Sequence, residues 1–210
     1  MAAVETAPRT ESKEEFDPMI RRTTLALGAA LLLSPLAPAQ ISNWKPDAAH
    51  SGIDFATTHL AISKVRGHFA VSGGDVTFDE KDITKSKVNI TINTASVDTQ
   101  NSMRDDDLKS DHFFDTAKYP TGEFTSTSIK RGKDGLIING NLTVHGVTKP
   151  VVLTVDGPNG PVTGLDKKQH IGFSATTTVD RLAFGLAPTY PASVIGNDVK
   201  LTIDLDLAKQ

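Results

Sequence analysis

The chain has 210 residues, of which 38% are hydrophobic and 22% are charged. This length and composition are typical of one globular domain, or of a small domain with a tail, and they exclude a chain that is disordered throughout. The net charge of −3 disfavours a protein that binds nucleic acid without sequence preference, since such proteins are usually basic. There are no cysteines, so disulfides, thiolate metal sites and cysteine nucleophiles are excluded.

The N-terminal region is predicted to lie outside the folded domain. Residues 1–18 are polar with no apolar period, and we interpret them as a disordered or misassigned extension, with translation starting at Met1 or Met19. Residues 19–39 have the order of a secretory signal peptide: an arginine pair, a short apolar run, and small residues that place cleavage after Ala39. The run is too short to cross a bilayer core of about 30 Å. We therefore expect a periplasmic or secreted mature protein without a transmembrane anchor, exported by the Sec or the twin-arginine route.

The mature chain, residues 40–210, shows apolar and polar residues alternating with a period of two, which predicts strands. The clearest example runs from Val199 to Leu207. Each predicted strand has one apolar and one polar face, as in antiparallel sheet that is wetted on one side. The predicted turns between strands contain glycine, and they are Gly73-Gly74, Lys133-Asp134-Gly135, His145-Gly146, Gly157-Pro158-Asn159-Gly160 and Gly196-Asn197-Asp198.

About eight such strands must bury a common apolar face, and closure into a barrel does this while removing the sheet edges. The predicted fold is therefore all-β, an extended antiparallel barrel of about eight strands. A barrel of this size is either filled by its side chains or holds one slim ligand. Small residues at inward positions, among them Gly67, Gly140 and Ala175, are expected to leave room for a long apolar ligand.

Residues 102–114 interrupt the strand pattern, since they contain no β-branched residue, and they predict a short helix. Acidic residues at 105–107 lie near its start, where the helix dipole favours negative charge. We expect Arg104 and Asp105 to cap or anchor the helix, and the acidic run to be mostly a solvated face.

Short motifs follow one another in order along the mature chain. They are Trp44-x-x-Asp47-x-x-His50-Ser51, Phe55 with His59, Val65-x-Gly67-x-Phe69, Val97-x-Thr99 followed by Arg104-Asp105, Leu108 and Phe113-Phe114-Asp115, then Tyr119-Pro120, Gly140-x-Leu142-Thr143 with Gly146-Val147-Thr148, and Arg181 with Phe184-Gly185. This ordered set, over residues 44–208, resembles the YceI-like, lipid- or polyisoprenoid-binding family. The resemblance implies a lipocalin-like barrel with a short helix near one mouth. It also implies an exported protein that holds a long isoprenoid or related amphiphile inside the barrel.

A polyprenyl tail has almost no polar atoms, so its binding site is expected to be an apolar tunnel. The candidate lining residues are inward-facing apolar side chains, namely Ile53, Phe55, Phe69, Ile90, Ile92, Phe124, Leu142, Phe173 and Phe184. Phe113 and Phe114 are expected to cover the mouth, and the forked guanidinium of Arg181 suits a phosphate or carboxylate head group. The structural alternatives are core packing for the apolar residues, and an ion pair with Asp180 or Asp98 for Arg181.

An enzyme is not expected, because the 6 histidines are isolated and no metalloprotease, serine-hydrolase or phosphate-loop motif is present. A zinc site built from His50, His59 and His145 on separate strands is the least favoured alternative. A packed barrel that serves as a structural or assembly module is the other. We expect no cofactor and no metal, a long-chain lipid as the partner, and either a monomer or a homodimer.

Overall fold

The computed structural model describes residues 40–210, which form nine strands and one short α-helix. The strands are β1 (Ile41–Pro46), β2 (Gly52–His59), β3 (Ser63–Asp79), β4 (Lys87–Asn93), β5 (Thr121–Arg131), β6 (Leu136–Val144), β7 (Val147–Thr163), β8 (Gln169–Asp180) and β9 (Asp198–Lys209). The helix α1 spans Ser102–Lys109, within the predicted segment. The predicted extension and signal peptide lie outside the described residues. Within the described range, no helix has the length and apolar character needed to cross a bilayer.

The strands close into an antiparallel barrel of eight positions, which confirms the predicted fold class. The order around the barrel is β3-β2-β9-β8-β7-β6-β5-β4, and β4 pairs with β3 to complete the ring. The short β1 and β2 occupy one position end to end, because both lie between β3 and β9. Closure satisfies the backbone groups that a sheet edge would expose.

Two of the predicted turns are wrong. Gly73-Gly74 lies within β3, and the segment from Gly157 to Gly160 lies within β7, at points where the strand register shifts. Gly74 has a φ of 144°, and a Cβ there would collide with the carbonyl oxygen of Asn89 on β4. These glycines therefore bend long strands at β-bulges and do not end them. Of the other three, two connect successive strands as expected, and Gly196-Asn197-Asp198 ends the longer segment 181–197 at the start of β9.

The remaining connections fall at two ends of the barrel. One end, here called the covered end, carries the β2–β3 turn, residues 94–120 with α1, the β6–β7 turn and residues 181–197. The strand pairing places these segments at the same end. Asn93 pairs with Thr121 and Asp180 pairs with Asp198, so β4–β5 and β8–β9 are each joined at this end of the barrel. The opposite end carries residues 80–86, which connect β3 to β4, together with the β5–β6 turn and the β7–β8 turn.

The buried apolar residues form two clusters, one mainly on β5–β8 and the other mainly on β1–β4 and β9. Six half-buried residues pack against both clusters, and they are Phe78, Val88, Ile92, Phe114, Phe173 and Ile203. Their remaining accessible surface faces the interior of the barrel, which is where the candidate site lies.

Candidate functional site

The inward-facing side chains leave two cavities inside the barrel. Counted as the space open to the centre of a water molecule, the cavity toward the opposite end measures about 90 Å³ and the cavity under the covered end about 140 Å³. A site for one water needs only about 10–15 Å³ on this measure, so both cavities exceed ordinary packing voids. Their walls are almost wholly apolar, which is the chemistry of a hydrocarbon site.

The two cavities lie next to each other along the barrel, so a path through both would be apolar along its length. They share four lining residues, which are Ile53, Ile92, Leu142 and Leu201. The path runs from Ile83 and Leu136 at the opposite end to Leu108 and Phe114 beneath the cover. An extended apolar chain would therefore have to pass the four shared side chains.

All twelve site residues predicted from the sequence line one or both cavities. Ile90, Phe124 and Phe173 line the cavity toward the opposite end. Phe55, Phe69, Phe113, Phe114, Arg181 and Phe184 line the cavity under the cover, and Ile53, Ile92 and Leu142 line both. Their contact with a ligand stays a prediction.

Sequence reasoning missed further lining residues on β3 and β9. Phe78 lies beyond the glycine bend of β3. Because a turn was predicted at that bend, the second half of β3 was not expected to belong to the barrel wall. On β9, Leu201, Ile203 and Leu205 share the face whose alternation was recognised, and this signal was sufficient to include them.

Of the small inward residues, Ala175 lines a cavity as expected, but Gly67 and Gly140 do not leave the space expected of them. A Cβ at Gly67 would collide with the ring of Phe55, and a Cβ at Gly140 with the ring of Phe124. Each glycine therefore accommodates an aromatic ring from the neighbouring strand, as in cross-strand pairs that fill a barrel wall. The cavities lie in the middle of the barrel, between the inward-facing side chains of opposite strands.

The helix α1 is fastened through Thr99 to the segment that precedes it, and the residue before Thr99 forms a β-bridge to β3. Asp105 is only 8% exposed, and its carboxylate accepts hydrogen bonds from the Thr99 hydroxyl and backbone N–H at 2.5 and 2.8 Å. These bonds, with the charges of Lys109 and Arg104, lower the pKa of Asp105 against the opposing effect of desolvation. Arg104 donates to the hydroxyl and carbonyl oxygens of the same threonine. The anchoring role is thus correct, but Asp105 is not part of a solvated face.

Phe113 and Phe114, which follow the helix, have different partners. The ring of Phe114 packs edge-on against Phe69 at 5.2 Å between centroids, inside the barrel. The ring of Phe113 stacks on Tyr190 at 6.0 Å, which joins residues 94–120 to residues 181–197. Two irregular segments therefore meet over the cavity and together form its cover.

Arg181 holds the second of these segments. Its side chain is 3% exposed, and burial lowers the pKa of its guanidinium while Asp180 opposes this shift. All three guanidinium nitrogens donate hydrogen bonds, and the acceptors are the carbonyl oxygens of Leu186, Ala187, Tyr190, Ile195 and Gly196 and the side-chain oxygen of Asn197. The expected partners Asp180 and Asp98 are not among them. The donors proposed for a ligand head group are engaged in fixing the loop.

A polar cluster lies toward the opposite end. His170 places Nδ1 2.6 Å from Asp206 Oδ1 and Nε2 3.1 Å from Asp166 Oδ1. Asp47 and His50 pair at 2.9 Å, and with Asp206 they make up the one His and carboxylate group among residues 40–210 whose spacing could hold a cation. The least favoured alternative, a three-histidine site, is not formed among these residues, because His59 and His145 lie elsewhere.

The pH dependence of stability should reveal the His170 contacts. Hydrogen bonds to Asp206 and then Asp166 raise the pKa of His170 above its ordinary value of 6.5. Since the folded pKa is the higher one, this stabilisation is complete below pH 6.5 and is lost as the pH rises through the folded value. We expect the urea midpoint to fall above pH 6.5, and His170→Gln to flatten that fall.

The matched control for this prediction is His112→Gln, which changes an exposed histidine beside Asp107 at the covered end. It should leave the slope between pH 6.5 and 8.5 as in the unchanged protein. A slope that persists fully in His170→Gln would assign the pH dependence to another group, such as His50, whose pKa is also raised by its bond to Asp47.

A closed antiparallel barrel with an apolar interior beneath a partly helical cover defines the class of lipocalin-like β-barrels. The profile of the YceI-like domain matches residues 44–207, and the chain belongs to the YceI-like family. The UPF0312 protein of Serratia proteamaculans is 38% identical over 194 residues, which cover 90% of this chain and 97% of that protein.

Solved structures agree with this assignment. The YCEI protein of Campylobacter jejuni is 33% identical, with a TM-score of 0.64 over 73% of this chain and 90% of that one. A domain of Saccharophagus degradans described as polyisoprenoid-binding has a TM-score of 0.53 at 15% identity, over 81% of this chain and 99% of that one. At that identity the likeness establishes a common fold.

Proposed function

We propose that this protein is an exported binding protein that holds one long apolar amphiphile, a polyisoprenoid or related lipid, inside its barrel. The observation that carries the proposal is the pair of adjoining apolar cavities along the barrel. The description of the Saccharophagus degradans domain as polyisoprenoid-binding supports the same class of ligand. Such a protein would serve lipid carriage, storage or a stress response.

The energetics of burial are sufficient for such a ligand. At about 25 cal/mol per Å² of apolar surface, a chain that buries about 400 Å² gains on the order of 10 kcal/mol before ordering costs. The side chains at the junction of the cavities must change rotamer to admit it. Ile92 and Leu201 are half-buried and so have space to move, whereas Ile53 and Leu142 are buried.

The proposed compartment rests on the signal-peptide pattern of residues 19–39, which makes residues 40–210 the mature YceI-like domain. We propose binding without catalysis. Among the described residues that line the cavities, Arg181 is the titratable one, and its donors are engaged by the loop. The remaining polar groups are hydroxyls, such as those of Ser86 and Thr94.

Mass spectrometry of the purified mature protein tests the proposal. The intact spectrum under native conditions is expected to show one lipid per barrel, and it reports at once whether the protein is a monomer or a homodimer. Organic extraction then identifies the lipid. A protein that is empty as purified, and that takes up no added polyprenyl lipid after delipidation, would contradict the proposal and favour a packed barrel with a structural role.

A further inference from the structure

The β2–β3 turn at the covered end exposes aliphatic side chains. Ile62 is 84% exposed and Leu60 is 50% exposed. Leu60 and Ala61 take φ values of 51° and 58°, in the left-handed region where glycine or asparagine is usual. Exposed aliphatic side chains are unfavourable in water, and the left-handed backbone adds strain. Such a costly turn indicates a functional surface.

The turn is held in place by its neighbours. The backbone N–H of Leu60 donates to the Val194 carbonyl at 2.9 Å, and His59 forms a β-bridge with Ile195. The turn is therefore braced against residues 181–197, which are part of the cover over the cavity. Met103, at the start of α1, is 83% exposed at the same end of the barrel.

Three basic side chains lie directly behind the turn on the outer face. Arg66 and Lys200 flank the small residue Ala56 on β2, and Lys64 follows one step nearer the tip, opposite Thr58. All three are exposed, and none has a carboxylate within 4.0 Å among the described residues. The two neighbouring carboxylates have other partners, since Asp54 is bonded to His68 at 2.9 Å and Asp98 accepts from the Gln100 N–H at 2.7 Å. An aliphatic tip backed by unpaired cations is thus formed on one edge of the covered end.

We propose that the β2–β3 turn docks on an anionic lipid bilayer. Leu60 and Ile62 enter the interfacial region, and Lys64, Arg66 and Lys200 face the phosphate head groups. This combination of a small apolar insertion with adjacent basic residues is what binds proteins to anionic membrane surfaces. The docked barrel presents its covered end, and so the cavity, to the membrane.

Two features favour a bilayer over a protein partner. The apolar tip is far smaller than the roughly 800 Å² per partner of a stable protein interface. A second copy of the chain would place like charges of the basic strip against each other in a symmetric contact, which is repulsive. The docking adds to the proposed lipid-binding function and rests on it, since the purpose of docking is to exchange the bound lipid. Membrane binding can nevertheless be measured when no lipid is in the cavity.

Flotation with vesicles of phosphatidylglycerol and phosphatidylethanolamine tests the docking, with phosphatidylcholine vesicles as the neutral comparison. The full mature protein should bind the anionic vesicles at 50 mM NaCl, and lose binding in about 500 mM NaCl as salt screens the charges. The double change Lys64→Gln with Arg66→Gln should weaken binding about 25-fold, since each basic residue near such a surface contributes about fivefold. Ile62→Ser should weaken it about fivefold.

Matched controls lie at the opposite end of the barrel. Lys130→Gln with Lys133→Gln removes the same charge from exposed positions, and Leu165→Ser removes a fully exposed aliphatic side chain. Both controls should bind vesicles as the unchanged protein does. Equal weakening by the controls, binding that ignores vesicle charge, or a dimer that Ile62→Ser disrupts would overturn the docking.

Lipid content, measured by extraction for every variant, separates the two proposals. A protein that carries lipid but does not bind anionic vesicles overturns the docking alone. A protein that binds the vesicles through the turn but neither carries nor takes up lipid overturns the proposed function alone. Weakened vesicle binding with unchanged lipid content, in Ile62→Ser, is the result that supports both.

Discussion

Replacing Ile92 with tryptophan is expected to abolish loading of a long-chain lipid while the barrel remains folded. Ile92 lines both cavities, so an indole at this position would occupy the junction and block it even after the neighbouring side chains change rotamer. Its partner on β5 is Gly122, which has no side chain, and the ring therefore has room to lie across the path. We expect at least a tenfold loss of loading and a cost in stability of about 1–3 kcal/mol from overpacking.

The matched control is Asn89→Trp, on the same strand but on its exposed outer face. It introduces the same side chain without reaching the cavities, so loading should be unchanged. The comparison is made by extracting lipid from each purified variant and by reloading after delipidation. Full loading in a folded Ile92→Trp protein would show that the ligand does not occupy the path through the junction.

Replacing Arg181 with methionine is expected to cause the largest loss of stability of any single change considered. Methionine fills a similar space, but the five carbonyl oxygens that accept from the guanidinium lose their donor. A buried polar group without a partner costs about 1–3 kcal/mol, and some of these carbonyls will reach water, so we expect a total of at least about 3 kcal/mol. Urea unfolding measures this loss.

Two further variants separate this effect from a general loss of charge. Arg131→Met removes an exposed arginine at the end of β5 and should change stability little. Arg181→Lys retains a cation with three donors in place of five, and should fall between methionine and the unchanged protein. Since the guanidinium holds residues 182–197, limited proteolysis should also cut the methionine variant first within that segment. A methionine variant within about 1 kcal/mol of the unchanged protein would contradict the anchoring role.

The period-two alternation of residues 40–210 was sufficient to predict a closed antiparallel barrel. The reason is physical, since strands with one apolar face must bury it and a closed sheet does so without exposing edges. The same alternation placed residues such as Ile53, Phe124 and Leu142 on the inner face, and all of them line the cavities. Inward direction is a local property of a strand, so local sequence determines it.

Other features depend on neighbours that are distant in sequence. A glycine pair within an alternating segment is compatible with a turn or with a bend inside a strand. In β3 the strand bends, because the backbone of Asn89 on β4 packs closely against the glycine pair. For this reason Phe78, beyond the bend, was missed as a cavity residue. The space above Gly67 and Gly140 was likewise misjudged, because the rings that fill it come from β2 and β5.

The chain sequence by itself determined the fold class, the inner face of each strand and the helical segment, because these follow from short-range periodicity. Tertiary structure alone decided the partners of the polar residues. Asp105 is buried against Thr99, and Arg181 is enclosed by residues 186–197, although both were plausible surface or ligand-binding groups. A buried charged side chain forms hydrogen bonds with the donors and acceptors that surround it in the folded protein. Those groups come from distant parts of the sequence, so they are in position only when the strands have closed into the barrel.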